Sequence, residues 1–218
     1  MARIPLLCLS STQKHLVAAL IAASGLLSGC GDSSAVSSVE LKEGDIVFQT
    51  SKSSQSTAIQ QATHSPYSHV GILFNQNESW CVLEAIGPVK YTPLKKWLAN
   101  GIGTHYTIKR LKDSQALTKQ SLEKLRLEGD RLVSKPYDPY FGWSDDKLYC
   151  SELVWKIYKN ATGIEIGVPR TLREFDLTPP KVKAKLAERY GKNVPLNERV
   201  VAPSTIFESP LLTTIVSR

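Results

Sequence analysis

The chain has 218 residues, with 27 Lys and Arg against 20 Asp and Glu and a formal net charge of +7. This mildly basic balance is compatible with an anionic envelope polymer or with lipid headgroups, but it specifies neither. No arginine-rich run or nucleic-acid-binding motif is present, so we exclude nucleic acid as a partner. The cysteines have no metal-ligand spacing to each other or to a histidine, and we predict neither a metal site nor any other cofactor.

The N-terminus has the pattern of an export signal. Arg3 and Lys14 give the first residues a positive charge, and no acidic residue precedes the apolar stretch. That stretch, Leu16–Leu27, has the length of a signal-peptide core and is too short to span a bilayer. We therefore predict that residues 1–29 are a signal peptide, which leaves a mature protein of net charge about +5.

A cysteine follows this stretch directly. The segment Leu27-Ser28-Gly29-Cys30 resembles the bacterial lipobox, which predicts a lipid on Cys30 and a tether over residues 30–40. The alternative is an ordinary secretory signal with an unrelated Cys30. Gly31 stands where an aspartate would retain a lipoprotein in the inner membrane, so we expect a periplasmic domain anchored to the outer membrane. No second apolar run is long enough to span a membrane, which predicts a domain that sits on the membrane.

The remaining residues, 41–218, suffice for one domain with a sizeable core. Strand patterns come first and helical patterns later, which predicts an α+β fold. The predicted strands are Ile46–Gln49, His69–Phe74, Trp80–Ala85 and His105–Leu111. The predicted helices are a short one within Ser51–Thr63, then Pro93–Asn100, Thr118–Ser134, Tyr149–Ala161 and Val182–Tyr190, followed by a tail of irregular structure and edge strands.

Two cysteines, Cys81 and Cys150, remain once the signal and the lipid site are set aside. In an oxidising compartment they could form a disulfide. Cys150, however, begins a helix whose inward face continues with Leu153, Val154 and Ile157. The free amides and the dipole of a helix N-terminus favour a thiolate and can stabilise an oxyanion. The alternative is a buried core cysteine, which is the more common situation on an inward helical face.

A base for such a nucleophile is expected on a neighbouring strand. His69 opens a predicted strand, and Gly71 leaves room for close approach of another backbone. Glu84 lies in an otherwise apolar strand that a hairpin places beside His69, where an unpaired carboxylate would be costly. It is the candidate that orients the imidazole. The alternatives are a histidine satisfied by a carbonyl group and an edge glutamate in water.

The order of these motifs resembles the permuted papain-like (NlpC-type) amidases, and among them the enterobacterial YiiX proteins. The resemblance covers about Leu41 to Thr214, nearly all of the mature chain. The motifs that carry it are Gly44-Asp45-Ile46-Val47-Phe48, Tyr67-Ser68-His69-Val70-Gly71, Val82-Leu83-Glu84-Ala85 and Tyr149-Cys150-Ser151-Glu152. The histidine strand precedes the cysteine helix, which is the permutation that defines this family.

The resemblance implies a circularly permuted papain-like fold, with a small antiparallel sheet or barrel packed on the cysteine helix. It implies Cys150 as nucleophile, His69 as base and Glu84 as the orienting residue. It also disfavours a disulfide and makes Cys81 a packing residue.

Three functions are compatible with this pattern. The first is an amidase or peptidase that cleaves an amide bond in the cell envelope, for example in peptidoglycan stem peptides. The second is an acyltransferase or lipid hydrolase, because the same permuted fold resembles lecithin–retinol acyltransferase. The third is an inactive lipid-anchored binding module, which the presence of all three triad residues disfavours.

Overall fold

Six antiparallel strands form one open sheet in the order β4-β3-β2-β1-β5-β8. The computed structural model describes residues 40–113 and 115–218. The predicted signal peptide, Cys30 and all of the predicted tether except Glu40 lie outside the described residues. The strands of the sheet are β1 Ile46–Ser51, β2 His69–Gln76, β3 Ser79–Ala85, β4 Val89–Pro93, β5 Gly101–Leu111 and β8 Leu212–Ser217; β6 Arg170–Thr171 and β7 Arg199–Val200 form a separate ribbon.

The helix Cys150–Thr162, α4, packs across this sheet, mainly against β2 and β3. It ends at Gly163, which has a φ of +76° and donates its N–H to the Lys159 carbonyl at 2.9 Å. Such a left-handed residue is a favourable position for glycine and stops the helix. Across the described ranges, no helix combines the length and the apolar character that a membrane crossing requires. The helices are α1 Ser56–Thr63, α2 Leu94–Ala99, α3 Lys119–Leu132, α4 Cys150–Thr162, α5 Pro180–Tyr190 and α6 Pro203–Phe207.

Both faces of the sheet are buried. Successive side chains of a strand point to opposite sides, so each strand contributes side chains to both faces. Phe48, Ile72 and Leu83 contribute to the larger core, which includes the inner face of α4. Val47 and Val82 point the other way, into a smaller cluster closed by Trp97 of α2. The sheet is therefore the middle layer between α4 and α2.

The structure confirms the α+β class and resolves the choice between a sheet and a barrel in favour of an open sheet. All four predicted strands are present, and each is extended at one end or both. Strand β4 and helix α6 were not predicted. Each has only five residues, too few for a strand or helical period to show.

Gly71 on β2 has no room for a side chain against β3. A Cβ placed on Gly71 would lie 2.4 Å from Cγ1 of Val82 and 2.8 Å from the Leu83 carbonyl oxygen. Gly71→Ala should therefore destabilise the fold by about 2–3 kcal/mol through overpacking. Urea unfolding of both proteins measures this. An unchanged urea midpoint in Gly71→Ala would contradict this expectation, because the strands would then accommodate the added methyl group without loss of stability.

Candidate active site

The N-terminus of α4 is held in place by the segment that precedes α6. The Val201 N–H donates to the Tyr149 hydroxyl at 3.2 Å, and the Ser151 hydroxyl donates to the Val201 carbonyl at 2.7 Å. Cys150, between these two anchors, is the first residue of the helix and is only 4% exposed. These two hydrogen bonds fix the backbone at the start of α4. The N–H groups of this first turn have no acceptor within the helix.

Glu84 binds His69 across the β2–β3 hairpin. Its Oε2 lies 2.6 Å from Nε2 of His69, and its Oε1 accepts the Thr92 hydroxyl at 2.6 Å. Glu84 reaches His69 over Gly71, where no side chain intervenes. The indole of Trp97 stacks on the imidazole with ring centroids 5.7 Å apart. The ring is therefore held both at its edge and on one face.

The other side of the imidazole meets Cys150. Because Nε2 faces Glu84, the remaining nitrogen, Nδ1, is left for the hydrogen bond with the cysteine side chain. Burial alone would lower the pKa of His69, but hydrogen bonds and charge attraction with Cys150 and Glu84 outweigh it and raise this pKa to about 10. The same contacts hold the pKa of Glu84 below its usual value although burial works in the opposite direction. These contacts favour the charged forms of His69 and Glu84.

The structure thus brings Cys150, His69 and Glu84 into one connected chain. The other two described histidines take no part: His64 is exposed and lies 3.3 Å from Asp176, and His105 is exposed on β5. Cys81 and Cys150 are both free thiols.

A partly buried tyrosine that sequence reasoning did not identify, Tyr137, lines the same cleft as the cysteine. Burial is the main cause that raises the pKa of Tyr137, and the electrostatic effect of Cys150 is the next largest. Gln55 donates its side-chain N–H to the Tyr137 hydroxyl at 2.5 Å, and its carbonyl oxygen accepts a hydrogen bond from Arg189. Since Arg189 can only donate, it fixes the orientation of the Gln55 amide. The Tyr137 oxygen therefore accepts the hydrogen bond from Gln55. The hydroxyl proton of Tyr137 remains available for donation to a group beside Cys150.

The loop that carries Tyr137 has a fixed shape. Asp138 accepts the N–H groups of Tyr140 and Gly142 at 2.8 and 2.7 Å, and Tyr137 pairs with Leu148 just before α4. Prolines at both ends identify this loop in the sequence, but nothing in the sequence shows which of its residues faces Cys150.

Glu152 stabilises the start of α4 and makes no hydrogen bond or ion pair with His69 among those of the described residues. It is fully buried, accepts the Tyr149 N–H at 3.4 Å and forms an ion pair with Lys156 at 2.8 Å. Burial raises the pKa of Glu152 to about 7 against the opposing effect of Lys156. We assign it a positioning role at the N-terminus of α4.

A cleft of about 730 Å³ opens at Cys150. Tyr137 and Gln55 stand at the same end, and the remaining wall comes from α1, α5 and the segments around β6 and β7. Of the three connected residues, Cys150 lines this cleft, and His69 and Glu84 lie behind it, outside the wall of the cleft.

Comparison with known proteins agrees with this geometry. Residues 40–216 match the family model described as permuted papain-like amidase enzyme, YaeF/YiiX, C92 family. The chain is 53% identical over 172 residues to the uncharacterized protein YiiX of Escherichia coli (strain K12), covering 79% of this chain and 84% of that protein. It also resembles the crystal structure of a protein described as metalloprotein yiiX from Escherichia coli O157:H7. The TM-score is 0.78 at 52% identity, with 81% of this chain and 97% of the other covered.

These matches confirm the permuted papain-like fold that the motif order predicted. The family match extends across both halves of the site, from the histidine strand to the cysteine helix and beyond. The chain belongs to the YaeF/YiiX (C92) family of permuted papain-like amidases and is a cysteine hydrolase of the amidase or peptidase kind.

Proposed function

We propose that this enzyme cleaves an amide bond with Cys150 as nucleophile, His69 as acid and base, and Glu84 as the residue that orients His69. The observation that carries the proposal is the connected chain from the Cys150 side chain through the imidazole to the Glu84 carboxylate. Glu84 accepts from the imidazole at 2.6 Å and stabilises the imidazolium without taking its proton.

The reaction has two halves. The Cys150 thiolate attacks the carbonyl carbon, and the C–N bond breaks as the imidazolium of His69 gives its proton to the departing amine. This leaves an acyl group on Cys150 as a thioester. Water then attacks that carbonyl while His69 accepts a proton, and the C–S bond breaks. The products are an amine and a carboxylic acid, and the thiolate–imidazolium pair is restored.

Two donors are positioned for the oxyanion that forms in each half. One is the N–H of Cys150 in the first turn of α4, where the helix dipole adds a positive potential. The other is the Tyr137 hydroxyl, whose proton the Gln55–Arg189 pair leaves available. Such donors act where charge develops in the transition state.

The proposed mechanism requires no metal ion. One structural relative is described as a metalloprotein. In residues 40–113 and 115–218 of this chain, however, no group of three or more His, Cys, Asp and Glu side chains could hold an ion. His69 and Glu84 already bind each other, so the donor set does not fit a metal.

The cell envelope is the proposed place of action. The support is the signal-like N-terminus and the lipobox-like segment that ends at Cys30. A tether of about ten residues reaches at most about 35 Å. The substrate would then be an amide in the wall or lipid close to the anchoring leaflet, and stem peptides of peptidoglycan are one such class. The acyltransferase or lipid-hydrolase alternative gains support from the apolar wall of the cleft.

Alkylation of Cys150 tests the thiolate–imidazolium pair. At pH 7, iodoacetamide should label Cys150 at least about 10-fold more slowly in His69→Ala than in the wild type, because the free thiol ionises only near pH 8.5. The two rates should converge above that pH. His105→Ala, at an exposed histidine, is the matched control. Peptide mass spectrometry separates Cys150 from Cys81, and equal labelling in all three proteins at pH 7 contradicts the pair.

Tyr137→Phe should keep the fold and lower kcat with little change in KM, by about 100-fold if its hydroxyl is a full oxyanion donor. The measurement is turnover of an amide that the wild type cleaves. Tyr67→Phe is the control, because the Tyr67 hydroxyl bonds Thr107 at 2.7 Å on another part of the sheet. An unchanged kcat in Tyr137→Phe would remove the hydroxyl from the mechanism.

Cells grown with an alkyne palmitate analogue should yield labelled protein, and Cys30→Ala should lose the label. Each buried methylene contributes about 0.8 kcal/mol to membrane binding, so several acyl chains hold the protein firmly. Unlabelled wild-type protein in the soluble periplasmic fraction would refute the anchor and leave the amidase proposal intact.

A further inference from the structure

A second groove lies on the sheet face opposite α4, next to the residues with which the described chain begins. Its wall combines Leu41 with side chains of α2, β5 and β8. Among the described residues, none lines both this groove and the cleft at Cys150, so the groove is separate from the reactive site. Its apolar and aromatic wall residues are Leu41, Leu94, Tyr106, Ile108, Ile215 and Val216.

This groove is closed by protein only at its base. Ile108 is almost fully buried there. The apolar side chains at the rim are partly exposed, namely those of Leu41, Leu94, Ile215 and Val216. Strand β8 is the last strand of the sheet, and no described strand pairs with its outer edge. Contiguous apolar side chains that remain accessible at a sheet edge are typical of surfaces that bind a membrane or another protein.

The charges around this groove favour an anionic partner. Lys95 and Lys96 are exposed on α2, the helix that supplies one wall of the groove. Within the part of the chain that the structure describes, neither lysine forms an ion pair. Arg218, which also lines the groove, is offset by the terminal carboxylate, and Lys42 is offset by Glu40. The two lysines of α2 therefore leave an excess of positive charge.

We propose that this groove, together with Lys95 and Lys96, docks on an anionic phospholipid bilayer. The apolar side chains of the rim enter the headgroup region of the leaflet, and the two ammonium groups contact lipid phosphates. This contact is additional to the acyl anchor proposed at Cys30 and does not depend on the reaction at Cys150.

The position of the groove relative to the proposed anchor supports a bilayer as the occupant. Leu41 lines the groove, and residues 31–40 extend to at most about 35 Å. A lipid on Cys30 would hold the groove within that distance of the leaflet. Such a tether raises the effective concentration of the bilayer at the groove, so few contacts suffice for docking.

Two other occupants fit the groove less well. The residues between Cys30 and the described chain are mostly small or polar and can bury little apolar surface, since they include Ser33, Ser34, Ser37 and Ser38. A second copy of the chain would meet this surface with the same surface across a twofold axis. Two cationic surfaces would then face each other and repel.

Vesicle sedimentation of residues 40–218 tests the surface without the acyl anchor. Every described helix and strand lies in this part of the chain, and the crystallised relative, 97% of which is covered by 81% of this chain, folds with about the same extent. The domain should bind vesicles of phosphatidylglycerol and phosphatidylcholine in equal parts at least about 10-fold more tightly than pure phosphatidylcholine. Added salt should weaken the binding, because it screens exposed charges. Equal binding to both vesicles, or to neither, would overturn the proposal.

A double variant, Lys95→Gln with Lys96→Gln, should bind the anionic vesicles about 30-fold more weakly, the equivalent of about 1 kcal/mol per lysine. Lys119→Gln with Lys124→Gln is the matched control, because these exposed lysines lie on α3, in the layer of α4. The control should bind as the wild type does. An equal loss in both double variants would show attraction by net charge alone and would refute a docking surface on α2.

Ile215→Ser removes an apolar side chain from the rim and should weaken vesicle binding about 10-fold. Val168→Ser is the control, because Val168 is exposed and lines neither the groove nor the cleft. Melting temperatures establish that the variants are folded. Unchanged vesicle binding by folded Ile215→Ser would contradict insertion of the groove into the leaflet.

Two further results would identify a different occupant and so overturn the proposal. The first is a dimer of residues 40–218 in sedimentation without vesicles that Ile215→Ser dissociates, which would identify a second copy. The second is weaker vesicle binding by residues 31–218 than by residues 40–218, which would identify the tether.

Hydrogen exchange on the mature chain, purified from cells with its own N-terminus, locates the contact. In the anionic vesicles, the amides of α2 and β8 should exchange more slowly than in detergent, because lipid covers them, while those of α5 should be unchanged. Slower exchange in α5 alone would place another surface on the bilayer and would refute the docking of this groove.

Discussion

The burial of α4 is the constraint on which the rest of the structure depends. This helix is surrounded by the sheet, by α3 and by α6, and its residues are buried from Cys150 through Tyr158. Apolar residues such as Leu153 and Ile157 fill the core, where loss of a large side chain costs about 2–5 kcal/mol. Because the helix cannot shift without opening the core, the position of its first residue is fixed. Cys150 is that residue.

The polar side chains of a helix that is buried on all sides need hydrogen-bond or ion-pair partners within the protein. Lys156 and Glu152 both lie in the buried part of α4, and they form an ion pair at 2.8 Å. Lys156 also donates to Asp145 and to the Ser144 carbonyl, so the loop before the helix is tied to it. Removing one partner of such a pair leaves an uncompensated buried charge, which costs about 3–5 kcal/mol. These contacts explain why charged residues occur in this core helix and not only in its exposed turns.

The site combines two kinds of support. The imidazole of His69 is held by regular structure, since the β2–β3 hairpin sets Glu84 beside it and α2 brings Trp97 onto its face. Tyr137 comes from a loop, Gln55 directly precedes α1 and Arg189 lies on α5, and these three segments meet only in the tertiary structure. Cys150 and His69 are thus placed by the rigid layers, while the cleft is shaped by segments that can vary without disturbing the sheet.

The sequence by itself determined the α+β class, the strands β1, β2, β3 and β5, the helix that begins at Cys150 and the three candidate site residues. It could do so because alternation and the 3.6-residue period are local, and because Glu84 in an apolar strand and Cys150 at a helix start violate local expectations. The tertiary structure decided that the sheet is open, that β8 completes its edge and that Trp97 and Thr92 fix the His69–Glu84 pair. It also shows that Tyr137 is the residue of its loop that lines the cleft together with Cys150, and that the wall of this cleft is mostly apolar with two cationic side chains. These features depend on contacts between residues up to 134 positions apart, as in Gln55 and Arg189, and no local pattern encodes such contacts.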